Sequence, residues 1–535
     1  MGEKTTTDLR IPSSPSQEVI IFGSGACAQR IAENLSGHGI NACLAASADG
    51  PPETGQGAGA PWLQGVELSS CHGFAGNFEL TLKKKDAILN RKVPAIVVAE
   101  DHHHAPVYEP YGLKPHPRVM SISRWEETLG HGEAKKGVDH DTRVAFFCGW
   151  ENDSHPVVAR RMLAACLRLQ KGSGMTTYFM TGNLKVAASG AEALVEAAKR
   201  SGTLFLKFTR TFPMVQTRPD GRFTIGYRDE LTRRPFELAA DWIVVDETIG
   251  PDRRLEALAK RLEIRQDDFG FAQSDNVRRL SNATNRRGIF VAGGARGILS
   301  ADEQLADADQ VSLNLLSFLQ HKDNDTLPGV EIHRGRCAHC LTCHRICPHC
   351  AIEIGPQMSV VSAACQRCGI CVAGCPARAI DMEGVQIGAE VKNRMRKPAF
   401  NADATGGTPQ VMVFGCTRSA GQAYALARMM GHTLPEGIHF IEVPCGGSIS
   451  SGHLLAAFDD GADGVMLCTC HTDNCQSEVG NRVARQRAES VRDLLTAAGV
   501  APDRLDVATV AANMGNEWVA MIHGFVDRIL ALDTC

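Results

Sequence analysis

The chain has 535 residues, of which 44% are hydrophobic and 22% are charged, and its formal net charge is −4. That length is more than one hydrophobic core supports and predicts several domains, while the lack of basic stretches interleaved with aromatic residues argues against a nucleic-acid-binding protein. No run of about 18 apolar residues occurs, so we expect no segment of this chain to span a membrane.

Cysteine content and the polar start of the chain indicate the cellular compartment. Residues 1–17 form a polar leader without the apolar core of a secretory signal. The chain contains 20 cysteines, and in a long chain of this kind clustered cysteines are typical of metal or iron–sulfur ligands rather than of disulfides. We therefore expect a cytoplasmic protein, with any association with the inner membrane made through a partner protein.

The first predicted elements are a strand, EVIIF, a glycine turn and an amphipathic helix. Gly23, Gly25 and Ala28 supply the pattern GxGxxA between this strand and helix, where backbone amides can bind a pyrophosphate. FAD is the expected ligand, and the alternative is a fold that has lost its flavin. The second strand ends in LAAS, which puts Ser47 where an acidic residue would bind a ribose.

A second α/β unit is predicted as an insertion over 139–245, because strand and helix patterns alternate from VAFFCGW to AADWIVVDE. The FAD-binding domain is then split into 18–138 and 246–328. In its second part, GIFVAGGARG precedes a long helix and offers Gly293 and Gly294 as a further flavin contact. The inserted unit lacks a glycine fingerprint after its first strand, so we expect no direct binding of NAD(P)H.

Three features of the first 245 residues are predicted to have no ligand role. Cys148 and Cys166 are interpreted as packing residues, since neither has companions at ligand spacing. The segment DHHHAP at 101–106 is predicted to be an exposed loop rather than a metal site.

Residues 329–390 contain two cysteine runs, each with the spacing CxxCxxCxxxCP. This run is associated with two-cluster ferredoxins, in which three cysteines of one run and the fourth of the other bind each cluster. One [4Fe–4S] cluster is therefore assigned to Cys337, Cys340, Cys343 and Cys375. The second is assigned to Cys365, Cys368, Cys371 and Cys347. Structural zinc is the alternative, and Cys350 is expected to be a buried residue rather than a ligand.

A linker is predicted at 391–408 from its basic, glycine and proline content, and a third α/β domain follows at 409–535. Cysteines lie near the ends of its predicted strands, where α/β proteins usually build their sites. They are Cys416, Cys445, Cys468, Cys470 and Cys475. Their spacing alone allows either a metal site or scattered structural cysteines.

The stretches VPCGGSI, AFDDGADGVMLCTCHTDNC and GNRVARQR of this domain resemble the delta subunit of methyl-viologen-reducing hydrogenases, a [2Fe–2S] protein that passes electrons to heterodisulfide reductase. The resemblance implies a [2Fe–2S] cluster bound by Cys416, Cys445, Cys470 and Cys475. The family commonly has a further cysteine three residues after the one that matches Cys416. This chain has Ser419 there, which leaves Cys468 as a substitute ligand.

Upstream, VIIFGSGACA, HGFAGNFELTLKKK, RVAFFCGW and GIFVAGGARG resemble the A subunit of heterodisulfide reductase, a flavoprotein of thioredoxin-reductase type. The order of flavin unit, two [4Fe–4S] clusters and delta domain is similar to the B subunit of quinone-interacting membrane-bound oxidoreductases. The resemblance implies a two-lobed α/β FAD fold, a bacterial-ferredoxin-like α+β insert and an α/β iron–sulfur domain.

The same resemblance implies an electron-transfer subunit that does not itself act on a substrate. Its implied partners belong to a heterodisulfide-reductase-like complex, to a quinone-linked complex with adenylylsulfate reductase, or to a hydrogenase or formate dehydrogenase complex. The alternatives are a catalytic electron-bifurcating flavoenzyme and a cluster scaffold that has lost FAD.

Overall fold

The computed structural model describes residues 18–46, 61–85, 87–130, 141–150, 152–173, 175–208, 212–230, 232–272, 281–320, 329–361, 364–395, 408–472 and 474–533. Ser47, the leader at 1–17 and most of the predicted linker at 391–408 lie outside these ranges. The chain forms two compact units, the first made of Met1–Ala99, Ala257–Ala292 and Asp307–Cys535 and the second of Glu100–Glu256 and Gly293–Ala306. Of the helices in the described ranges, none has both the length and the apolar content that a membrane crossing requires.

Residues 18–130 begin with a parallel sheet and a small antiparallel one. The strands are β1 (Glu18–Phe22), β2 (Asn41–Ala46), β3 (Trp62–Gln64), β4 (Glu67–Phe74), β5 (Asn77–Lys84), β6 (Ala87–Val93), β7 (Ile96–Val98), β8 (His102–Pro106) and β9 (Val119–Ser121), and the helices are α1 (Ala26–Gly37) and α2 (Ile122–Gly130). β1 pairs in parallel with β2 and β7, and its continuous apolar run is buried on both faces, as in other parallel sheets. The antiparallel sheet consists of β4, β5 and β6.

Residues 141–320 contain a second parallel sheet and the return of the chain to the first. The strands are β10 (Arg143–Cys148), β11 (Thr176–Thr181), β12 (Leu204–Lys207), β13 (Met214–Thr217), β14 (Phe223–Arg228), β15 (Pro235–Ala240), β16 (Trp242–Val245), β17 (Glu247–Pro251) and β18 (Ile289–Val291), and the helices are α3 (Pro156–Ser173), α4 (Ala191–Arg200), α5 (Arg253–Leu262) and α6 (Ala301–Gln320). The second sheet has the order β12-β11-β10-β16-β9. β18 pairs with β7, so the chain rejoins the first sheet after the inserted unit.

The inserted unit starts before residue 139, where the sequence places its boundary. β9 lies beside β16 at an edge of the second sheet, and β8 pairs with β17 in a two-stranded antiparallel sheet. The prediction of an exposed loop at 101–106 is therefore wrong, because most of this segment is β8. A short strand rich in histidine carries no apolar alternation, so its sequence lacks the usual strand signal.

The core of the inserted unit explains its two cysteines. Cys148 and Cys166 expose 1% and 0% of their surface and pack with Phe146 and Phe179 between the second sheet and α3. Burial raises the pKa of both thiols. They are packing residues, as the lack of companions in the sequence predicts.

The cysteine-rich segment folds into two short antiparallel strand pairs and two one-turn helices, followed by a longer helix. Its elements are β19 (Val330–Ile332), β20 (Ile352–Glu353), β21 (Ser359–Val360), β22 (Ile380–Met382), α7 (Thr342–Ile346), α8 (Ile370–Gly374) and α9 (Ile387–Met395). β19 pairs with β22 and β20 with β21. Cys347 and Cys375 each precede a proline, which disfavours helical backbone in the residue before it. Both have extended backbones, and α7 and α8 end just before them.

The carboxyl-terminal domain is a four-stranded parallel sheet in which each strand is followed by a helix. Its elements are β23 (Val411–Cys416), β24 (Ile438–Val443), β25 (Gly464–Thr469), β26 (Leu505–Thr509), α10 (Ala420–Met429), α11 (Ser451–Asp459), α12 (Gly480–Ala497) and α13 (Gly515–Asp533). The strand order is β24-β23-β25-β26, and separate apolar cores form with α11 and α12 and with α10 and α13. The predicted α/β class is confirmed by the three large parallel sheets of the described residues, which are accompanied by smaller antiparallel ones.

Candidate functional site

Four cysteines of the carboxyl-terminal domain meet in a buried site at the carboxyl edge of its sheet. Cys416 ends β23, Cys445 follows β24 and Cys470 follows β25, so parallel strands deliver all three to the same edge. Cys475 joins them from the loop before α12. None of the four exposes more than 4% of its surface. The site therefore excludes bulk water from its sulfurs.

The sulfurs of this site contact one another. Cys416 Sγ lies 3.8 Å from Cys470 Sγ, and the hydrogen bond with the Cys470 thiol lowers the pKa of Cys416 to about 6. Hydrogen bonds with Cys445 and Cys470 lower the pKa of Cys475 to about 2. The contacts with Cys475 and Cys416 raise the pKa of Cys445 and of Cys470, respectively. The arrangement favours thiolate at two positions, which is the form that binds metal.

The structure shows where Ser419 and Cys468 lie relative to this site. Ser419 is fully buried, and its hydroxyl assists the Cys470 thiol in lowering the pKa of Cys416. Within the described residues this hydroxyl has no hydrogen-bond partner of normal length. Cys468 instead lies in the apolar core with Val413 and Trp518. Ser419 therefore faces the cysteine site, and Cys468 does not join it.

Gly480 closes the site from the side of α12. A methyl group on Gly480 would lie 2.2 Å from the Cys445 sulfur and 3.2 Å from the Cys475 sulfur, so no side chain fits there. Gly480 is the first residue of α12, and the positive end of that helix dipole favours negative charge on the two sulfurs. Gly480 is the first residue of the GNRVARQR stretch. From the sequence, this stretch is known only to resemble the hydrogenase delta subunit, which gives Gly480 no role of its own.

The cysteines of the ferredoxin-like segment fall into two spatial sets. Three cysteines of the first run line a common cavity with the last cysteine of the second run, and these are Cys337, Cys340, Cys343 and Cys375. In the other set, burial raises the pKa of Cys371. Negative charge raises it further, on Cys368, Cys347 and Cys365 of that set and also on Cys343 of the first. The cavity brings together the four cysteines that the ferredoxin spacing assigns to one cluster, and the assignment of the other four stays a prediction. Within the described residues, no group of three or more His, Cys, Asp or Glu side chains is placed so that it could hold a single metal ion.

In each set, the cysteine that comes from the other run accepts a backbone hydrogen bond. Ala351 N lies 3.4 Å from Cys347 Sγ, and Ala379 N lies 3.2 Å from Cys375 Sγ. Amide donors of this kind stabilise negative charge on a ligating sulfur. Cys350 belongs to neither set, since its half-buried thiol donates to Glu263 Oε2 at 3.2 Å.

The ferredoxin-like segment lies against the carboxyl-terminal site. Cys368 packs against the four cysteines at the edge of the last sheet. All five cysteines line one cavity of about 330 Å³, together with Arg367 and Arg418. Sequence spacing gives no sign of this contact, because it depends on how two folded domains pack.

The glycine turn after β1 leads directly into the uncapped start of α1. Gly23 is buried, with a φ of 144° that favours glycine. Gly25 precedes α1, and no side chain caps this helix. Ala28 is fully buried on the inner face of α1. The first amides of α1 are therefore available to an anionic ligand.

The second glycine pair has a local explanation. Gly293 and Gly294 lie in a single turn of 3₁₀ helix, Gly293–Ala295. A methyl group on Gly294 would lie 2.7 Å from both the Asp101 carbonyl carbon and His102 N. Close backbone packing accounts for Gly294 without a ligand.

Comparison with known proteins finds relatives of most of the chain and of its last domain. Residues 411–533 match the family model of the methyl-viologen-reducing hydrogenase delta subunit. The A subunit of the ferredoxin:CoB-CoM heterodisulfide reductase of Methanosarcina mazei is 28% identical over 457 residues, which are 84% of this chain and 54% of that relative. The iron-sulfur D subunit of the vhc F420-non-reducing hydrogenase of Methanococcus voltae is 29% identical over 120 residues, which are 22% of this chain and 81% of that relative.

Among solved structures, T. acidophilum thioredoxin reductase aligns with 14% identity and a TM-score of 0.38, covering 56% of this chain and 98% of that chain. The chain spans about half the length of the M. mazei protein that it matches. Both curated relatives are named as parts of larger enzymes. The chain is thus homologous to the A subunit of heterodisulfide reductase over most of its length, and residues 411–533 form a domain of the hydrogenase delta-subunit type.

Proposed function

We propose that this chain is an electron-transfer subunit of a heterodisulfide-reductase-like or quinone-linked redox complex. The observation that carries the proposal is the packing of Cys368 against the carboxyl-terminal cysteine site. A partly buried ligand set then lies beside a buried one from the next domain, which suits electron passage within one chain. Homology to the A subunit of a ferredoxin:CoB-CoM heterodisulfide reductase supports the same function.

The residues present fit iron–sulfur clusters and a flavin. The [2Fe–2S] cluster would be held by Cys416, Cys445, Cys470 and Cys475. One [4Fe–4S] cluster would be held by Cys337, Cys340, Cys343 and Cys375, and the other by Cys365, Cys368, Cys371 and Cys347. FAD would bind through its pyrophosphate at Gly23, Gly25 and the start of α1. Iron–sulfur clusters carry single electrons, and FAD exchanges two electrons for single ones.

Exchange of single cysteines tests which ligands form each [4Fe–4S] cluster. We expect Cys347→Ser to remove the cluster beside the carboxyl-terminal site, and with it the magnetic coupling between that cluster and the [2Fe–2S] cluster. Cys375→Ser should remove the other [4Fe–4S] cluster and leave this coupling in place. Iron and sulfide analysis, with EPR spectra of the anaerobically reduced protein, measures both effects.

Cys350→Ser is the matched control for the cysteine exchanges. Cys350 lies three positions after Cys347 in the sequence, but its thiol contacts Glu263. This variant should keep every cluster. Loss of a cluster from Cys350→Ser, or loss of the coupling from Cys375→Ser, would show that the ligand assignment is incorrect.

The function itself is tested by anaerobic purification of the native protein in mild detergent. We expect FAD, iron and sulfide in the protein, together with co-purifying redox proteins. Adenylylsulfate reductase or a haem-bearing quinone-reactive protein would identify a quinone-linked complex, whereas hydrogenase, formate dehydrogenase or other heterodisulfide reductase components would identify a heterodisulfide-reductase-like one. Oxidation of free NADH by the isolated chain would instead favour a catalytic flavoenzyme, and cluster-bearing protein without flavin would favour a scaffold.

A further inference from the structure

Residues 480–487, GNRVARQR, contain no cysteine but contact the backbone or sulfurs of the carboxyl-terminal site at three places. Gly480 lies against the Cys445 and Cys475 sulfurs. Asn481 Nδ2 donates to the carbonyl oxygens of Cys470 and His471, at 3.2 and 2.8 Å. These contacts fix the positions of the ligand loops relative to α12.

Arg487 makes the third contact, about two turns further along α12. Its Nη1 donates to the carbonyl oxygens of Gly447 and Ile449, at 2.7 and 2.9 Å. Both carbonyls belong to the turn that follows Cys445. One guanidinium nitrogen therefore holds the backbone of this ligand loop in place.

The other side of the same guanidinium lies against the ferredoxin-like segment. A methyl group on Gly374 would be 3.3 Å from Arg487 Nη2, and Gly374 precedes the ligand candidate Cys375. Arg487 thus hydrogen-bonds to backbone that follows Cys445 and lies close to Gly374, which is next to Cys375. Its planar fork suits this bridging role better than the single ammonium of a lysine would.

Within the described residues, the charge of Arg487 is not balanced by a carboxylate. Burial lowers its pKa, and the ionisable group that opposes this shift is the Cys445 thiol rather than a carboxylic acid. A guanidinium remains protonated at neutral pH even so. Its positive charge lies partly buried, where electrostatic interactions are stronger than in water.

We propose that Arg487 is a positioning residue that joins the ferredoxin-like segment to the carboxyl-terminal domain and raises the reduction potential of the cluster held by Cys416, Cys445, Cys470 and Cys475. The inference rests on the proposed function, since it requires a cluster at that site. Reduction adds negative charge to a cluster, and a fixed cation nearby stabilises the reduced form. Removal of the cation should therefore make reduction harder.

The test is an EPR-monitored redox titration of the full-length protein, purified anaerobically. Arg487→Met keeps the apolar stem and removes the charge. We expect the [2Fe–2S] midpoint to move to a more negative potential, with at least a tenfold lower ratio of reduced to oxidised cluster at a fixed potential, which is about 59 mV for a one-electron couple. Arg485→Met, an exposed position on the same helix, should match the unmodified protein.

If Arg487→Met binds its cluster poorly, Arg487→Lys distinguishes the effect of the positive charge from the effect of the guanidinium hydrogen bonds. The lysine keeps a positive charge, so most of the native potential should remain. An unchanged midpoint in Arg487→Met, or the full negative shift in Arg487→Lys, would overturn the inference. Absence of a [2Fe–2S] signal from the unmodified protein would contradict the proposed function instead.

Discussion

Substitution of Gly480 by alanine is expected to abolish the carboxyl-terminal cluster while the rest of the protein stays folded. The added methyl group would lie 2.2 Å from the Cys445 sulfur and 3.2 Å from that of Cys475, which is far inside van der Waals contact. The sulfur can move away only into the cavity that the four cysteines line, which is the space that the cluster would occupy. Closely packed interiors adjust little to such overlap.

Iron and sulfide analysis, together with the [2Fe–2S] absorption and EPR signals, measures this loss. Gly524→Ala in α13 is the control, since the same methyl group there meets nothing within 4 Å. Alanine is favoured over glycine in an exposed helix by about 1 kcal/mol, so this variant should keep all clusters and be slightly more stable. A full set of clusters in Gly480→Ala would show that the ligand loops lie elsewhere in the loaded protein.

The contrast between Gly480 and the cysteine runs shows what sequence can predict here. The runs starting at Cys337 and Cys365 are local patterns, and their chemistry follows from spacing within one loop. The role of Gly480 depends on a sulfur that is 35 positions earlier in the chain. A glycine at the start of a helix has many explanations, so the sequence alone gives it no particular role.

Contacts between domains are equally hidden from the sequence. The proximity of Cys368 to the carboxyl-terminal site requires the ferredoxin-like segment to dock on the last domain, and residue spacing carries no information about docking. The boundary of the inserted unit is misplaced for a related reason. β8 and β17 are paired across more than 140 residues, and a two-stranded connection of polar residues has little apolar pattern to reveal it.

The prediction of Cys468 as a substitute ligand fails for a different physical reason. Its distance along the chain makes it plausible, but it packs against Trp518 in an apolar core. Burial there raises the pKa of Cys468 to about 12, and Cys468 does not belong to the group of packed cysteines at the sheet edge. The composition of a residue's surroundings, rather than its spacing, decides whether it can be a ligand.

Substitution of Glu247 is expected to have a large effect on the stability of the second unit. Its side chain is 1% exposed and accepts hydrogen bonds from Ser123 N and Ser123 Oγ, at 3.0 and 2.8 Å. His104 Nδ1 and Arg161 Nη1 lie 3.0 and 3.3 Å from it. Burial would raise the pKa of this carboxyl, but hydrogen bonds from His104, Ser121 and Ser123 outweigh burial and lower it to about 2.

We expect Glu247→Gln to lower the free energy of unfolding of the second unit by about 3 kcal/mol at pH 7, the low end of the cost of breaking a buried charge pair. The amide group of glutamine turns one acceptor into a donor that faces other donors. Amide hydrogen exchange of β17 and α2 measures the change. Glu237→Gln, an exposed carboxyl on β15, is the control and should change the unfolding free energy by less than about 0.5 kcal/mol.

The carboxyl of Glu247 should also make the stability of the second unit fall at acidic pH. Because its folded pKa of about 2 lies below the unfolded value of 4.5, its stabilisation is complete above pH 4.5 and is lost as the pH falls towards 2. The second unit contains none of the proposed cluster ligands, so urea unfolding of cluster-free protein, followed by local amide exchange, can measure this between pH 6 and pH 3. Stability of the second unit should stay nearly constant from pH 6 to about pH 5 and then fall towards pH 3 in the unmodified protein, and it should fall less in Glu247→Gln. Parallel curves for the two proteins would mean that other groups control the acid sensitivity of this unit.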